Sequence, residues 1–367
     1  MRATIILGIY VIAAGCGGSS GQLGDDDVDG SPGPDGSGNP GDPDSGGGDG
    51  DGDCGACPAG YSCGSANGHA VCRDDDTGVP LFSHVFLIMM ENTSYSSLRD
   101  ADNAPFMTGL FTSAAYSSNY HGVAKPSLPN YLAMTSGSDM GVACDCDPVG
   151  NDCNALTCNS ISSAFIDCGC AQTEVQHIGN QLDAAGKTWR NYAEDLGTPC
   201  NLETSGNYAT RHVPFLYYDD VSGNADRCAE VILDYSELTG DMAAPPALAY
   251  ITPNLIHDMH DPSPSTSENL ANGDAWLSAQ VPMITGSDAY QDRGLLLIVW
   301  DEDDSLIGGD NPIPFFVLSP LARSGGFEAT ARIDHYNLLA TLEDGLGLGR
   351  LGSAATAHPL AQFFPED

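Results

Sequence analysis

The chain has 367 residues, of which 50 are acidic and 12 are lysine or arginine, giving a formal net charge of -38. A charge of that sign and size repels phosphate backbones and argues against nucleic-acid binding. The length allows one large core with insertions, and the 13 cysteines suit an oxidising compartment.

Residues 1–16, MRATIILGIYVIAAGC, combine one arginine, a short apolar core and a small-residue site ending at Cys16. This is the pattern of an export signal, too short and wrongly flanked to span a membrane. The AAGC box resembles a bacterial lipoprotein cleavage site, with Ala13 where leucine is usual. The expectation is a lipid-anchored protein of the cell envelope, with the N-terminal anchor as its sole membrane association and plain secretion as the alternative. Residues 17–53 are Gly, Asp, Ser and Pro with almost nothing to bury, which predicts a solvated, self-repelling tether. Calcium binding through the Asp-Gly spacings is the rival reading, and no ligand repeat of fixed period supports it.

A small module follows at 54–80, with Cys54, Cys57, Cys63 and Cys72 read as a disulfide knot and a zinc site as the alternative. Setting Cys16 aside leaves an even number of cysteines. Six of them crowd into 144–170 as a stapled insertion, and Cys200 and Cys228 remain to clasp the loop between them.

Residues 81–367 form the predicted catalytic domain. Continuous apolar runs at 84–90, 247–253, 294–300 and 313–319 read as strands buried on both faces. Helical patterns lie between them at 174–186 and 335–347. Alternation of this kind predicts an α/β fold, a mostly parallel central sheet sandwiched by helices. Polar clusters follow three of the strands: Glu91-Asn92, then NLIHDMHD at 254–261, then DEDD at 301–304. Open parallel sheets bind ligands beyond the carboxyl ends of their strands, so three clusters on one edge point to one site.

Glu91, Asn92, Asp301 and Glu302 offer the hard oxygen donors that a divalent metal ion accepts, with Asp303 and Asp304 as substitutes. An EF-hand reading of DEDDSLIGGDNP fails because Pro312 occupies the twelfth position. Ser127, in KPSLPNY, is either a helix-capping residue or a nucleophile at a helix start, where phosphate and alkoxide are both favoured. A metal touching its oxygen would activate it and polarise a phosphoryl group, which tips the reading to nucleophile and fifth ligand. Asn130 is a candidate donor to a phosphate oxygen. His212 and His260 are candidates to bind phosphate or protonate the leaving alcohol. His335 reads as a cap of its own helix, and His121 and His257 are less favoured.

The segments MMENTSY, KPSLPNYLAMTSG, NYAEDL, RHVPFLYY, YITPNLIHDMHD, IVWDEDD, GGDNPIPFFVLSP and DHYNLLATLEDGLGL occur in that order between about 82 and 352. Together they resemble the phosphoesterase family of acid phosphatases and bacterial phospholipases C, in the alkaline-phosphatase-like superfamily. The resemblance implies metal ligation by Glu91, Asn92, Asp301 and Glu302, and a nucleophile at Ser127. It places the family's two histidines on His212 and His260. Two positions depart: Lys125 stands where relatives often have histidine, and Glu302 where acid phosphatases often have aspartate.

The expected function is a metal-dependent phosphomonoesterase of acid-phosphatase type acting on a phosphate-ester substrate through a phosphoserine. A phospholipase C-like phosphodiesterase and a noncatalytic metal- or phosphate-binding surface lipoprotein are the rivals.

Overall fold

A computed structural model describes residues 54–148, 172, 175–260, 266–305 and 309–366. The export signal, the tether and the cysteines at 153, 158, 168 and 170 lie outside these residues, which fall within one compact unit. Among them no helix is long and apolar enough to cross a membrane.

The core is an eight-stranded sheet in the order Glu328–Ala329, Ala115–Ser117, Phe315–Leu318, Leu295–Trp300, Val85–Met90, Leu248–Thr252, Trp189–Ala193, Ile232–Asp234. From Leu295–Trp300 to Ile232–Asp234 every pairing is parallel. Phe315–Leu318 runs antiparallel to both of its neighbours. Val85–Met90 and Leu295–Trp300 sit mid-sheet and are buried along their whole length. Each large aliphatic side chain sealed there contributes about 2 kcal/mol, and that burial explains why both strands read as unbroken apolar runs. The four predicted strands are all present. The sequence reading missed Trp189–Ala193, whose polar Arg190 and Asn191 interrupt the apolar signal.

The helix Ser127–Ser136 starts after Pro126 and stops at Gly137, which takes a left-handed φ of 76°. A Cβ on Gly137 would lie 2.4 Å from the Leu351 carbonyl oxygen, so the stop doubles as a close crossing of two segments of the chain. The twenty-residue helix Thr266–Thr285 carries Pro282 in its last turn. The predicted helix at 174–186 is present as Ile178–Ala184, and that at 335–347 as His335–Gly345.

The cysteine module is a two-stranded antiparallel hairpin, Tyr61–Ala66 with His69–Asp74. Bridges Cys54–Cys63 and Cys57–Cys72 staple it, so the zinc alternative falls. It is hydrogen-bonded to the rest of the fold: Arg73 donates to the Phe364 and Pro365 carbonyls, and the Tyr61 hydroxyl to that of Asp344. Cys200 and Cys228 are bridged as expected.

Candidate active site

Met90 pairs with Trp300 at the carboxyl ends of two parallel neighbours, so Glu91 and Asp301 leave the sheet side by side. Asp301 Oδ1 accepts hydrogen bonds from the backbone N–H of Asn92 at 2.9 Å and of Glu302 at 2.6 Å. Asn92 holds a left-handed φ of 40°, a conformation asparagine tolerates better than most residues. The Glu91 N–H donates to the Asp258 carbonyl at 2.8 Å, which ties in the loop after a third strand, Leu248–Thr252. The three polar clusters meet at one edge because their strands are consecutive in the sheet.

Ser127 is the first residue of its helix rather than the cap, and its hydroxyl points away from the helix amides. Its Oγ donates to Glu91 Oε2 at 2.9 Å and lies 3.5 Å from Glu302 Oε1. The capping reading therefore falls. One turn on, Tyr131 donates its hydroxyl to Glu91 Oε1 at 2.5 Å and stacks on the His212 ring with centroids 5.6 Å apart. The sequence reading passed over Tyr131. Its i+4 spacing from Ser127, which puts both on one helix face, was the available signal.

Lys125, which stands where relatives often have histidine, is turned to the acidic loop after Leu295–Trp300. Its Nζ lies 3.1 Å from Glu302 Oε2 and 2.8 Å from Asp303 Oδ1, and donates to the Asp303 carbonyl at 2.8 Å. The ammonium is thus held inside the acidic loop, leaving Glu302 Oε1 turned toward Ser127.

Glu91, Asp258 and Asp301 have no measurable exposure and Glu302 has 5%. Burial, followed by the charges of Asp301 and Asp258, pushes the Glu91 carboxyl well above the usual range. Burial likewise raises Asp301 and Glu302, the latter opposed by Lys125. His212, buried 3.3 Å from Glu91 Oε1 and 3.9 Å from Asp258 Oδ2, is pushed well below its ordinary value by burial and then by Arg211 and His260, so it stays neutral.

Asn130 does not serve as a phosphate donor. Its Oδ1 accepts from the Val123 and Ala124 N–H groups at 2.9 Å each. Its Nδ2 donates to the Ala124 and Pro126 carbonyls at 3.0 and 3.1 Å. With both amide protons spent, it braces the loop that leads into Ser127. Asp303 pairs with Lys125, and Asp304 accepts from the Ser97 hydroxyl at 2.8 Å, so neither substitutes for its neighbours. His260 is exposed at the rim, within electrostatic reach of His212 and Asp145.

His335 is not the cap of its helix; Asp334 is, accepting from the Tyr336 and Asn337 N–H groups. Nε2 of His335 instead meets the Asp301 carbonyl at 2.8 Å and Nδ1 meets the Tyr120 hydroxyl at 3.1 Å. Gly122 packs against the same carbonyl, where a Cβ would come within 2.6 Å. His121 binds the Asp310 carbonyl, and His257 Nδ1 lies 2.8 Å from Glu194 Oε2.

Two observations bear on a metal. Asp301 Oδ2 is buried with no hydrogen-bond partner among the described residues, and the surrounding donors are all hard oxygens. Against that, no group of three or more His, Cys, Asp or Glu among those residues is spaced as a ligand shell, and Glu91 accepts from Ser127, Asn92 and Tyr131 on its two oxygens. The donor chemistry fits a divalent cation; the side chains as placed hold one another.

The sequence pattern of the Phosphoesterase family matches residues 98–349. The chain belongs to the Phosphoesterase family. Among relatives, the phosphatidylinositol-3-phosphatase of Mycobacterium tuberculosis (strain ATCC 25618 / H37Rv) is 29% identical over 294 residues, covering 78% of this chain and 85% of its own. An acid phosphatase of Aspergillus fumigatus is 25% identical over 291 residues, and the match spans 74% of this chain but 56% of that relative. Of solved structures, a candidate sulfatase of Bacteroides thetaiotaomicron VPI-5482 shares the fold at TM-score 0.51 and 10% identity, over 77% of this chain and 74% of the other. A Vibrio parahaemolyticus protein in the alkaline phosphatase superfamily scores 0.47 at 11% identity over 80% and 71%. The mostly parallel sheet between helices that the sequence predicts is the one observed, and both named relatives are phosphatases.

Proposed function

We propose that this chain is an exported, metal-dependent phosphomonoesterase in which Ser127 takes up the phosphoryl group. The observation that carries the reading is the meeting of Ser127 Oγ with Glu91 and Glu302 at 2.9 and 3.5 Å, at the ends of two adjacent strands. A buried hydroxyl against two carboxylates at a helix start makes poor sense as scaffolding, because it sets negative charge beside a group with little charge to offset it.

Ser127 Oγ attacks phosphorus, the ester P–O bond breaks, and the departing alcohol oxygen takes a proton. Water then attacks the same phosphorus, the Ser127–phosphate bond breaks, and inorganic phosphate leaves as the serine is reprotonated. His260, exposed at the rim, is the histidine assigned to protonate the leaving alcohol; buried His212 lies against Glu91 and Asp258 instead. Glu91, Asn92, Asp301, Glu302 and Ser127 are the residues that would hold a divalent cation. Bound there, it would polarise the phosphoryl oxygens and make the serine alkoxide accessible.

The names of both relatives favour a monoester over a diester, and one of them extends the substrate class to phosphomonoesters on lipid headgroups. The bridges Cys54–Cys63, Cys57–Cys72 and Cys200–Cys228 suit an exported protein, and anchoring through Cys16 is part of the same proposal. The test is hydrolysis of p-nitrophenyl phosphate, bis-p-nitrophenyl phosphate, phosphatidylinositol 3-phosphate and phosphatidylcholine, with Ser127→Ala as control. Monoester turnover, with labelled phosphate trapped on wild type and absent in Ser127→Ala, is expected. Faster cleavage of the diester or of phosphatidylcholine would overturn the monoesterase reading.

A further inference from the structure

The helix that presents Ser127 has an unusual start. Its N-cap is Pro126, which supplies no side-chain hydrogen bond, and Pro129 brings no N–H to the first turn. The amides of a first turn need partners from elsewhere. One arrives from the cysteine-bearing insertion: Asp145 Oδ1 accepts the Leu128 N–H at 2.9 Å, from 17 residues along the chain.

That carboxylate sits on a firmly held peg. Its neighbours Cys144 and Cys146 are both in disulfides and are 2% and 4% exposed. The Cys146 carbonyl accepts from the Tyr217 hydroxyl, and Asp147 accepts from the hydroxyls of Thr204 and Thr210. Asp145 is therefore fixed from both sides, and the amide it grips belongs to the residue after Ser127. Arg211 and His260 lie within electrostatic reach of it.

We propose that Asp145 is a positioning residue for the nucleophile, clamping the Ser127–Leu128 turn so that Ser127 Oγ faces Glu91 and Glu302. The inference rests on the reading of Ser127 as nucleophile. It assigns the segment Cys144–Cys146 a part in the site rather than a role in surface stability alone. Its essential property is an acceptor oxygen at one place; the negative charge is secondary.

Full-length Asp145→Ala, Asp145→Asn and Asp145→Glu, each checked for native near-UV circular dichroism, separate these properties on p-nitrophenyl phosphate. A displaced nucleophile costs roughly tenfold to a hundredfold in rate. Asp145→Ala is expected to lose that much in kcat and in the rate of phosphoenzyme formation, with KM close to wild type. Asp145→Asn keeps an acceptor oxygen at the same reach and should stay near wild type, whereas the longer arm of Asp145→Glu should be slow. If the alanine variant does not fold, the order of Asn above Glu decides by itself. Wild-type kcat in both Ala and Glu variants, an Asn variant as slow as Ala, or Glu faster than Asn would each overturn the proposal. Turnover surviving in Ser127→Ala sinks the nucleophile reading instead, so the two failures are told apart.

Discussion

Tyr131 donates its hydroxyl to Glu91 Oε1 at 2.5 Å while Ser127, one helical turn earlier, donates to Glu91 Oε2 at 2.9 Å. One helix thus grips both oxygens of one buried carboxylate. Tyr131→Phe keeps the ring stacked on His212 and removes only the Oε1 bond. Hydrogen bonds to charged groups are worth about 1.5–3 kcal/mol. The expected result is a fall in kcat/KM of about tenfold or more with a lowered melting temperature, read by steady-state kinetics and calorimetry; unchanged values of both would remove Tyr131 from the site.

Lys125 is the cation that partners Glu302 and Asp303. Lys125→Met leaves a buried carboxylate uncompensated, at a cost of about 3–5 kcal/mol for a buried pair. Adding Glu302→Gln should restore much of that stability but not activity. Chemical denaturation of the two variants and of Glu302→Gln alone closes the cycle, and additive effects would show that the pair is not coupled.

Four buried carboxylates, Glu91, Asp258, Asp301 and Glu302, face one another with Lys125 as the nearest cation on Glu302. A divalent ion would relieve that repulsion. Exhaustive chelation should abolish activity and lower the melting temperature, and re-addition of a divalent ion should raise it by several degrees in a concentration-dependent way. No response of either quantity would argue against metal dependence.

Glu343, in the helix His335–Gly345, accepts from the Leu351 N–H at 2.8 Å with Oε1, while Oε2 is buried without a hydrogen-bond partner among the described residues. Burial pushes its carboxyl up to about 8. The folded state favours the neutral acid, so this contribution to stability is complete below the ordinary carboxylate range. It is lost progressively as pH rises through about 8. Glu343→Gln mimics the neutral acid. Its unfolding free energy, read by chemical denaturation, should match wild type near pH 5 and exceed it near pH 8 by an amount on the order of a few kcal/mol. Parallel pH profiles for the two proteins would refute this.

Much of this was open to reading without coordinates. Unbroken apolar runs such as Val85–Met90 and Leu295–Trp300 identified central parallel strands, since only strands covered on both faces dispense with polar alternation. The polar residues after those runs marked the site's edge. Less legible were residues whose role depends on a partner distant in sequence. Asn130 looked like a phosphate donor until its four hydrogen bonds were found to brace its own loop. Asp145 carried no signal at all, lying in an insertion between two cysteines.

Composition and local pattern determined the fold class, the strand ends and the chemical types gathered there, because burial and backbone pairing act on runs of neighbouring residues. Only the tertiary structure decided which acid faces Ser127, that Lys125 is spent on Glu302, that Tyr131 bonds Glu91 and that Asp145 accepts the Leu128 amide. Those relations depend on angles and gaps of a few tenths of an ångström between segments far apart in the chain, and side-chain type alone does not encode them.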